Sequence, residues 1–295
     1  MTVHSTNRRP GRTGIIGGSG LYDIDGIECL EHLAIDTPFG KPSDDLLLAT
    51  IHGHEVVFLP RHGRGHKIPP HQINYRANIY AMKLAGVDRI ISISAVGSLR
   101  QDIAPGDFVL VDQFVDRTHS RASTFFDGPV VAHVSMADPI CACLKTELAS
   151  ACEKAAISTH QSGSYLVMQG PQFSSRAESN LYRSWGMDVI GMTNLPEAKL
   201  AREAEICYAT VAMSTDYDCW HEEEEDVSVA SIIEIMHGNV AKAQHMLQHF
   251  FADRNQPLAL TCTCRQALAS GIFADLKAQD DDAIRPIHAL VERFL

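Results

Sequence analysis

The 295-residue sequence lacks the stretches that would place it in a membrane or on a nucleic acid. No uninterrupted apolar run approaches the roughly 20 residues that span a bilayer. Residues 1–12 are rich in Arg, Asn and Ser and have no apolar core, so they predict a disordered leader and not a secretory signal. Basic side chains number 25 against 36 acidic ones, and the net charge of −11 argues against a nucleic-acid partner, which would require a basic face.

The eight cysteines do not follow the spacing of a zinc finger. Without a secretion signal, they predict reduced thiols in a cytoplasmic protein. Cys262 and Cys264 form a Cys-x-Cys pair with no second pair beside it, so we expect two ordinary thiols, with a local disulfide as the alternative. His62 and His66 lie on a glycine-spaced loop, where helical geometry would not make their rings converge, and the sequence therefore predicts no metal site.

Apolar runs of strand length alternate with segments of helical periodicity, which predicts an α/β fold with one mixed central β-sheet flanked by helices. Strands are predicted at Gly14–Ile16, Asp45–Ile51, Glu55–Pro60, Asp88–Ala95, Asp107–Val115, Ser164–Gln169, Asp188–Met192 and Ile206–Ser214. Helices are predicted at Ile73–Ala85, Leu144–Ala155, from Ser174 or Ser175 to Trp185, and at Pro196–Glu205. No linker divides residues 13–295, so we expect a single domain whose C-terminal region is helical from about Val227, with breaks at Pro257 and Gly271.

A basic, glycine-spaced loop from Arg61 to Lys67 follows the predicted strand that ends at Pro60. The arginine guanidinium is a bidentate anion ligand, and the glycines allow the backbone to approach that anion closely. This loop therefore indicates a phosphate-sized anion site, although a solvated positive loop is an equally good interpretation of this stretch alone.

A second glycine-rich loop, Gly17–Gly20, follows the first predicted strand, and its backbone N–H groups and the Ser19 hydroxyl are suited to an anion. Its spacing differs from the dinucleotide-binding Gly-x-Gly-x-x-Gly pattern, which argues against a nucleotide cofactor. Polar side chains follow four further strands in the same way. Because ligands of α/β sheets bind at the carboxyl edge, the set predicts an active site there; its members are Ser19, Arg61, Ser94, Thr193 and Asp216.

Several long stretches, taken together, resemble the 5′-methylthioadenosine phosphorylases, a branch of the trimeric purine nucleoside phosphorylase family. The matching runs are Thr13–Asp23, Asp36–Ser43, Arg61–Asn78, Ser94–Arg100, Pro105–Thr118, Gly170–Trp185 and Met192–Trp220. The resemblance implies an enzyme that splits S-methyl-5′-thioadenosine with inorganic phosphate, giving adenine and 5-methylthioribose 1-phosphate in purine and methionine salvage. It implies phosphate as a co-substrate, no cofactor, and a homotrimer.

The resemblance also implies a phosphate pocket without a metal. In it, Arg61 would supply the positive charge and His62 an N–H group, and four further residues would supply three hydroxyls and one backbone N–H. The hydroxyls would come from Ser19, Ser94 and Thr193, and the backbone N–H from Ala95. This set agrees with the anion site indicated by the two loops.

At the base end, the resemblance implies that Asp216 and Asp218 determine which purine base the enzyme accepts. A carboxylate accepts from the 6-amino group of adenine, whereas a 6-oxopurine would favour an amide donor. Asp216 would act as the general acid toward N7 if its surroundings hold a proton there, and Asp218 would orient it. A 6-oxopurine or methylthioinosine phosphorylase is the alternative within the family, and a catalytically silent anion-binding protein is the alternative outside it.

Four further residues are implied to bind the nucleoside. Phe173 and Met192 would pack against base and ribose, and Ile232 would line the slot for the 5′-methylthio group. His133 would reach the 5′ end of the ligand in a neighbouring subunit. For Phe173 and Met192 the residue type alone favours an ordinary core position.

Overall fold

The computed structural model describes residues 11–22, 27–221, 229–252 and 262–295. The leader predicted at residues 1–12 lies outside this range except for its last two residues, of which Arg12 opens the first strand. Among the described residues, no helix is long and apolar enough to cross a membrane.

The described residues form one 11-stranded mixed sheet with helices packed against it, which confirms the predicted fold class. The strands are β1 (Arg12–Gly17), β2 (Glu28–Leu33), β3 (Leu46–Ile51), β4 (His54–Pro60), β5 (Val87–Ser98), β6 (Phe108–Leu110), β7 (Gln113–Arg117), β8 (Thr159–His160), β9 (Ser164–Met168), β10 (Val189–Gly191) and β11 (Cys207–Asp216). The helices are α1 (Tyr75–Leu84), α2 (Ala142–Lys154), α3 (Arg176–Ser184), α4 (Asn194–Glu203), α5 (Val229–Ala252), α6 (Asp281–Ile284) and α7 (His288–Val291).

Strand β5 is the centre of the sheet, which branches around it. Its first half pairs in parallel with β1, it pairs in parallel with β11 from Arg89 to Gly97, and its last residues pair antiparallel with β10. The path β2-β3-β4-β1-β5-β10-β9-β7 follows one branch, and β11-β6-β8 follows the other. Because β4, β1, β5 and β11 are parallel neighbours in that order, the residues that follow their carboxyl ends lie at one edge.

The burial of the central strands explains their sequence. Ile90, Ile91 and Ile93 of β5 are almost fully buried, as expected for a strand covered by helices on both faces of a parallel sheet. Ala95 is the exception, because it is exposed between buried neighbours. An exposed small residue in the middle of a buried strand marks an opening in the core at that point.

Two of the strand predictions differ from the structure, one in the length of β5 and one in the number of strands between Asp107 and Val115. β5 extends three residues beyond Ala95 because Gly97 and Ser98 continue its pairing with β10 and β11. The strand predicted at Asp107–Val115 is two strands, β6 and β7, because the backbone N–H groups of Val111 and Asp112 turn to the carbonyls of Thr210 and Gly163.

The C-terminal region is helical from Val229, but its later part does not form the long helices that the sequence predicted. In residues 262–295 the helices are three or four residues long. This segment is held by tertiary contacts instead. Glu205 accepts from the Leu268 backbone and the Arg293 guanidinium, and the Ala289 backbone donates to Tyr80 Oη. These long-range contacts do not appear in local periodicity.

Candidate active site

The Arg61 loop and the glycine-rich loop meet at the carboxyl edge of the sheet. The Arg61 backbone N–H donates to the Gly17 carbonyl over 3.0 Å, which joins the end of β4 to the end of β1. Gly63, Gly65 and His66 all have positive φ, so the loop turns sharply back on itself. Within the loop, the exposed Arg64 pairs with Asp44, whereas Arg61 does not.

The Arg61 side chain is buried and bonded to the protein itself. Its Nε lies 2.8 Å from one carboxylate oxygen of Glu197, and its Nη2 lies 3.0 Å from the other. Nη2 also donates to Ser92 Oγ over 2.6 Å, and Nη1 donates to the Ile93 carbonyl over 3.2 Å. Four of the five guanidinium N–H groups thus have partners among the described residues, leaving one at Nη1 for a ligand.

Glu197 is the hub of a buried polar network that sequence reasoning missed. It is fully buried in the first part of α4 and also accepts from Ser92 Oγ and Tyr208 Oη. Asn194 Nδ2 extends the network to Ser92, Tyr208 and Thr210. Burial alone would lower the pKa of Arg61, but Glu197 raises it above its ordinary value, so the guanidinium stays charged and its charge is neutralised by the carboxylate.

His62 is neutral at physiological pH. Burial, and to a smaller extent the neighbouring Arg61 and His66, lower its pKa from 6.5 to about 4. Its Nδ1 lies 2.8 Å from the Ile68 carbonyl, and because a carbonyl only accepts, Nδ1 must carry the proton. Nε2 of the neutral ring then has a lone pair. The His62 and His66 rings are stacked with centroids 4.1 Å apart, so their nitrogens do not converge on a common point.

Ser94 and Thr193, two of the three predicted hydroxyls, are brought together by a residue the sequence did not single out. Ser94 Oγ lies 3.2 Å from Tyr165 Oη, and Thr193 also bonds to that phenol. β10 runs antiparallel to β5, so the chain continues from Gly191 back along β5 toward Ser94. Burial raises the pKa of Tyr165, which keeps its hydroxyl protonated beside the other two. A tyrosine within an apolar strand gave no sequence signal of this role.

Gly191 makes room for the Tyr165 hydroxyl, because a Cβ on Gly191 would clash with Oη and with the adjoining ring carbon. We expect Gly191→Ala to displace the phenol from Ser94 and Thr193 at a cost of about 1–3 kcal/mol. Since those hydroxyls are the predicted anion ligands, the KM for phosphate should rise about tenfold, a change of about 1.4 kcal/mol.

Initial-rate kinetics at varied phosphate concentration would measure this effect. Gly128→Ala is the matched control, because no heavy atom lies within 4 Å of a Cβ built at Gly128 and its φ is not in the left-handed region. If the phosphate KM of Gly191→Ala equals that of the control, Tyr165 does not support the anion pocket.

The two aspartates follow β11 beside the last residues of β5. Asp216 Oδ1 accepts the Asp218 backbone N–H over 2.8 Å, and its Oδ2 accepts the Thr215 hydroxyl over 2.7 Å. Asp218 is buried, with a positive φ, and Ser174 Oγ donates to its Oδ2 over 3.3 Å. Burial raises the pKa of Asp218, and the charge of Asp216 adds to the shift. Asp218, to which the resemblance gave the orienting role, therefore holds a proton more readily than an exposed aspartate does.

Gly97 fixes the position of this carboxylate pair on the sheet. It pairs with Asp216, and a Cβ there would lie 3.0 Å from Asp216 Oδ1 and 3.4 Å from Asp218 Cβ. Gly97 is three residues beyond Ser94, about 10 Å along an extended strand. The set of hydroxyls around Ser94 and the pair of carboxylates beside Gly97 thus lie at separate points along β5. Ala95 is exposed between them.

Arg121 joins two loops around this site and also escaped sequence reasoning. Its Nη1 donates to the carbonyls of Met192 and Leu195, each over 2.8 Å, and its Nη2 donates to the Gln169 carbonyl over 2.7 Å. Burial lowers its pKa. These bonds fix the backbone of Met192, next to Thr193. The Met192 side chain packs against Gly170, where a Cβ would lie 2.5 Å from the sulfur.

Phe173 lies on the loop before α3 and exposes 67% of its surface. Ser175 caps that helix in a capping box with Glu178, which resolves the choice between two serines and leaves Ser174 to contact Asp218. An exposed phenylalanine near a carboxylate pair is available to cover a planar ligand.

His133 is held by the C-terminal segment. Its backbone N–H donates to the Gly271 carbonyl over 2.8 Å, and its ring contacts Phe273 edge-on.

Ser19 opens the short 3₁₀ helix Ser19–Tyr22, but its side chain lies outside the described residues. The same is true of the Ile232 side chain, although Ile232 lies on α5. This helix packs on the glycine-rich loop, where Gln244 Nε2 donates to the Gly20 carbonyl.

A separate group of side chains has the composition of a metal site. Their four sulfur atoms lie within 4.8 Å of one another; the residues are Cys141, Cys207, Cys262 and Cys264, named here the four-cysteine cluster. The sequence had weighed only the Cys-x-Cys pair, because the other two cysteines are distant in the chain.

Comparison with known proteins identifies relatives of the whole chain. The model of the Phosphorylase superfamily matches residues 12–252. The S-methyl-5′-thioadenosine phosphorylase of Geobacter sulfurreducens is 54% identical over 266 residues, covering 90% of this chain and 92% of that protein. The enzyme of the same name from Rhodospirillum rubrum is 48% identical over 283 residues, covering 96% of both chains.

Solved structures give the same result. A methylthioadenosine phosphorylase from an Antarctic soil metagenomic library superposes with a TM-score of 0.88 at 43% identity, covering 95% of this chain and 99% of the other. A variant of the adenosine/methylthioadenosine phosphorylase of Schistosoma mansoni, in complex with adenine, gives a TM-score of 0.78 at 38% identity, covering 82% and 91% of the two chains.

Proposed function

The chain belongs to the phosphorylase superfamily, and we propose that it catalyses the phosphorolysis of S-methyl-5′-thioadenosine to adenine and 5-methylthioribose 1-phosphate. Relatives of that activity are about half identical to it over nearly the whole chain. The observation that carries the proposal is the spacing of two groups along β5, with hydroxyls around Ser94 and carboxylates beside Gly97. A nucleoside placed between them would meet phosphate at its sugar and the carboxylates at its base.

The physical problem of the reaction is charge separation. As the glycosidic bond lengthens, the sugar gains positive charge and the purine gains electrons. Phosphate supports the sugar, and we assign it to the Arg61 Nη1 N–H, the His62 ring, the Ala95 backbone N–H and the hydroxyls of Ser94 and Thr193, with Ser19 as a further ligand. Because Glu197 neutralises Arg61, this pocket would hold phosphate mainly through directed hydrogen bonds and less through net positive charge.

His62 offers an N–H to phosphate only if it gains a second proton. Its Nδ1 proton is engaged by Ile68, so in the neutral ring Nε2 can only accept. We propose that a proton is shared between Nε2 and a phosphate oxygen, since the incoming anion opposes the burial that holds the pKa near 4.

At the base end, we propose that Asp216 faces N7 and that the two carboxyl groups act as one unit holding a single proton. Burial of Asp218, which raises its pKa, favours the protonated form of that unit. The 6-amino group of adenine donates to a carboxylate oxygen of the pair. Phe173 and Met192 would cover the base and ribose, and Ile232 would line the slot for the methylthio group.

We further propose that the enzyme is a cytoplasmic homotrimer of single-domain chains, with phosphate as co-substrate and no cofactor in the reaction. None of the eight cysteines, all of which lie in the described part of the chain, forms a disulfide, which supports a reducing compartment. The exposed His133, anchored on the C-terminal segment, would then reach the 5′ end of a ligand in the adjacent subunit.

Purified protein incubated with inorganic phosphate and S-methyl-5′-thioadenosine, adenosine, methylthioinosine or inosine tests the proposed function. We expect adenine release and a sugar 1-phosphate, detected by chromatography and phosphorus NMR, with the highest kcat/KM for the methylthio substrate. Base release that does not require phosphate would identify a hydrolase. Faster turnover of inosine or methylthioinosine would favour the 6-oxopurine alternative. Turnover of adenosine as well would agree with the double name of the Schistosoma relative.

A further inference from the structure

The four-cysteine cluster has no part in the proposed reaction, yet it gathers three distant parts of the chain. Cys141 immediately precedes α2, Cys207 opens β11, and the Cys-x-Cys pair opens the described C-terminal segment. Cys207 and Cys262 are 55 residues apart in the chain, and their sulfur atoms are 3.2 Å apart. Cysteines from separate elements meet at one point only because the fold brings those elements together.

The local backbone explains how the thiols converge. The Cys141 N–H donates to the Tyr208 carbonyl over 2.8 Å, which fixes the start of α2 against the start of β11. Cys262 is extended, with φ −78° and ψ 157°, and the 3₁₀ helix Thr263–Gln266 begins directly after it. Residues i and i+2 of an extended chain share a face, and the tight turn then draws the Cys264 thiol toward that of Cys262.

Both geometry and burial match a closed metal site. Four thiolates around a tetrahedral zinc ion with Zn–S bonds of about 2.3 Å have sulfur atoms about 3.8 Å apart. The four sulfurs here lie within 4.8 Å of one another, and three of the four cysteines are buried. A fully protein-coordinated, buried S₄ set is typical of a structural zinc site, in which no position is left for substrate.

A cation beside the cluster would offset part of its charge. Four thiolates and one divalent ion carry a net charge of −2, which is unfavourable in a buried place unless neighbouring groups compensate it. Arg202 Nη1 lies 3.9 Å from Cys264 Sγ, and its Nη2 is fixed by the Asp138 carbonyl. Arg202 thus directs a positive charge and an N–H donor at a cluster sulfur, as neighbouring groups of metal thiolates commonly do.

We propose that the four-cysteine cluster binds one Zn²⁺ ion, which fastens the C-terminal segment to the start of β11 and of α2. That segment holds the His133 backbone through Gly271, and it packs on Glu205 through Leu268 and Arg293. The ion is structural, so it takes no step in the reaction and is compatible with a cofactor-free phosphorylase. It replaces the expectation, drawn from the Cys-x-Cys spacing alone, of two ordinary thiols.

Metal analysis of the full-length protein, purified under reducing conditions without chelator, is the direct test. We expect elemental mass spectrometry to show one zinc ion per chain in the wild type. Cys264→Ser should lose most of this zinc. Cys152→Ser is the matched control, because Cys152 is a buried free cysteine outside the cluster, and it should retain its zinc. Zinc removal from the wild-type protein should also lower its Tm, a measurement that does not depend on enzymatic activity.

Cobalt replacement in the wild-type protein keeps the test decisive if Cys264→Ser does not fold. Co²⁺ added to the metal-depleted protein should give the thiolate-to-cobalt charge transfer and the intense visible bands of tetrahedral sulfur coordination. Protein without zinc whose cobalt form lacks these bands would overturn the proposal. So would an intact mass lowered by two hydrogens per disulfide, which would show that the thiols pair with each other, and so would iron in place of zinc.

Discussion

Asp216→Asn is expected to lower kcat/KM for S-methyl-5′-thioadenosine by about 10²–10⁴-fold, the range that general acid catalysis contributes. An amide cannot deliver a proton to N7. Both carboxylate oxygens of Asp216 also accept hydrogen bonds, from the Asp218 N–H and the Thr215 hydroxyl, and an amide can accept at only one of its two terminal atoms. The phosphate KM should change much less, because the carboxylate pair lies about 10 Å along β5 from the hydroxyls.

Asp218→Asn distinguishes the roles of the two carboxylates. We expect a smaller loss on the methylthioadenosine reaction, together with a gain in the relative rate of methylthioinosine, since an amide donor suits a 6-oxo group. The pH dependence of kcat/KM should lose its alkaline limb in Asp216→Asn. If Asp218→Asn abolishes turnover while Asp216→Asn keeps most of it, the proton resides on Asp218, whose pKa burial raises, and the two roles are exchanged.

Arg61→Met is expected to reduce the free energy of unfolding by about 3–5 kcal/mol, because it leaves the Glu197 carboxylate buried and without its cation. It should also raise the phosphate KM by removing the one Nη1 N–H that faces no described protein acceptor. Urea denaturation and phosphate kinetics measure the two effects separately. Arg64→Met, on the same loop, is the control: its side chain is 59% exposed, so loss of its contacts with Asp44 and His32 should cost no more than about 1 kcal/mol.

The double variant Arg61→Met, Glu197→Gln separates support of the fold from phosphate binding. Removing the buried charge of Glu197 should restore part of the lost stability, since it removes the uncompensated carboxylate that Arg61→Met alone leaves in the core. The phosphate KM should remain high. Recovery of both properties in the double variant would show that Arg61 acts only by compensating Glu197 and that it contributes nothing to phosphate.

Much of the fold was predictable because local pattern carries it. The isoleucine-rich run became the central strand β5, and the Gly53 turn between β3 and β4 and the cap of α3 are short-range features. The short β2 and the turns of residues 262–295 were not predicted, since exposed strands and tertiary contacts leave little periodic signal. That residues 13–295 form one domain stays a prediction.

The candidate site divides in the same way. The sequence identified strand-end residues such as Arg61, Ser94 and Asp216, because a polar side chain directly after a buried strand is a local observation. It could not identify Glu197, which is 136 residues from Arg61, or Tyr165, which is 71 residues from Ser94. A glutamate in a helix and a tyrosine in a strand are ordinary until their partners are known.

The sequence by itself determined the kinds of groups at the carboxyl edge: hydroxyls, a guanidinium, imidazoles and two carboxylates. Only the tertiary structure decided what each group has left to offer a ligand. Four of the five Arg61 N–H groups donate to acceptors of the protein itself, and the Nδ1 proton of His62 is donated to the Ile68 carbonyl. Four cysteines that are distant in the chain form one cluster. The reason is physical: hydrogen-bond capacity and burial depend on which distant residues pack together, and chain-local patterns do not encode those partners.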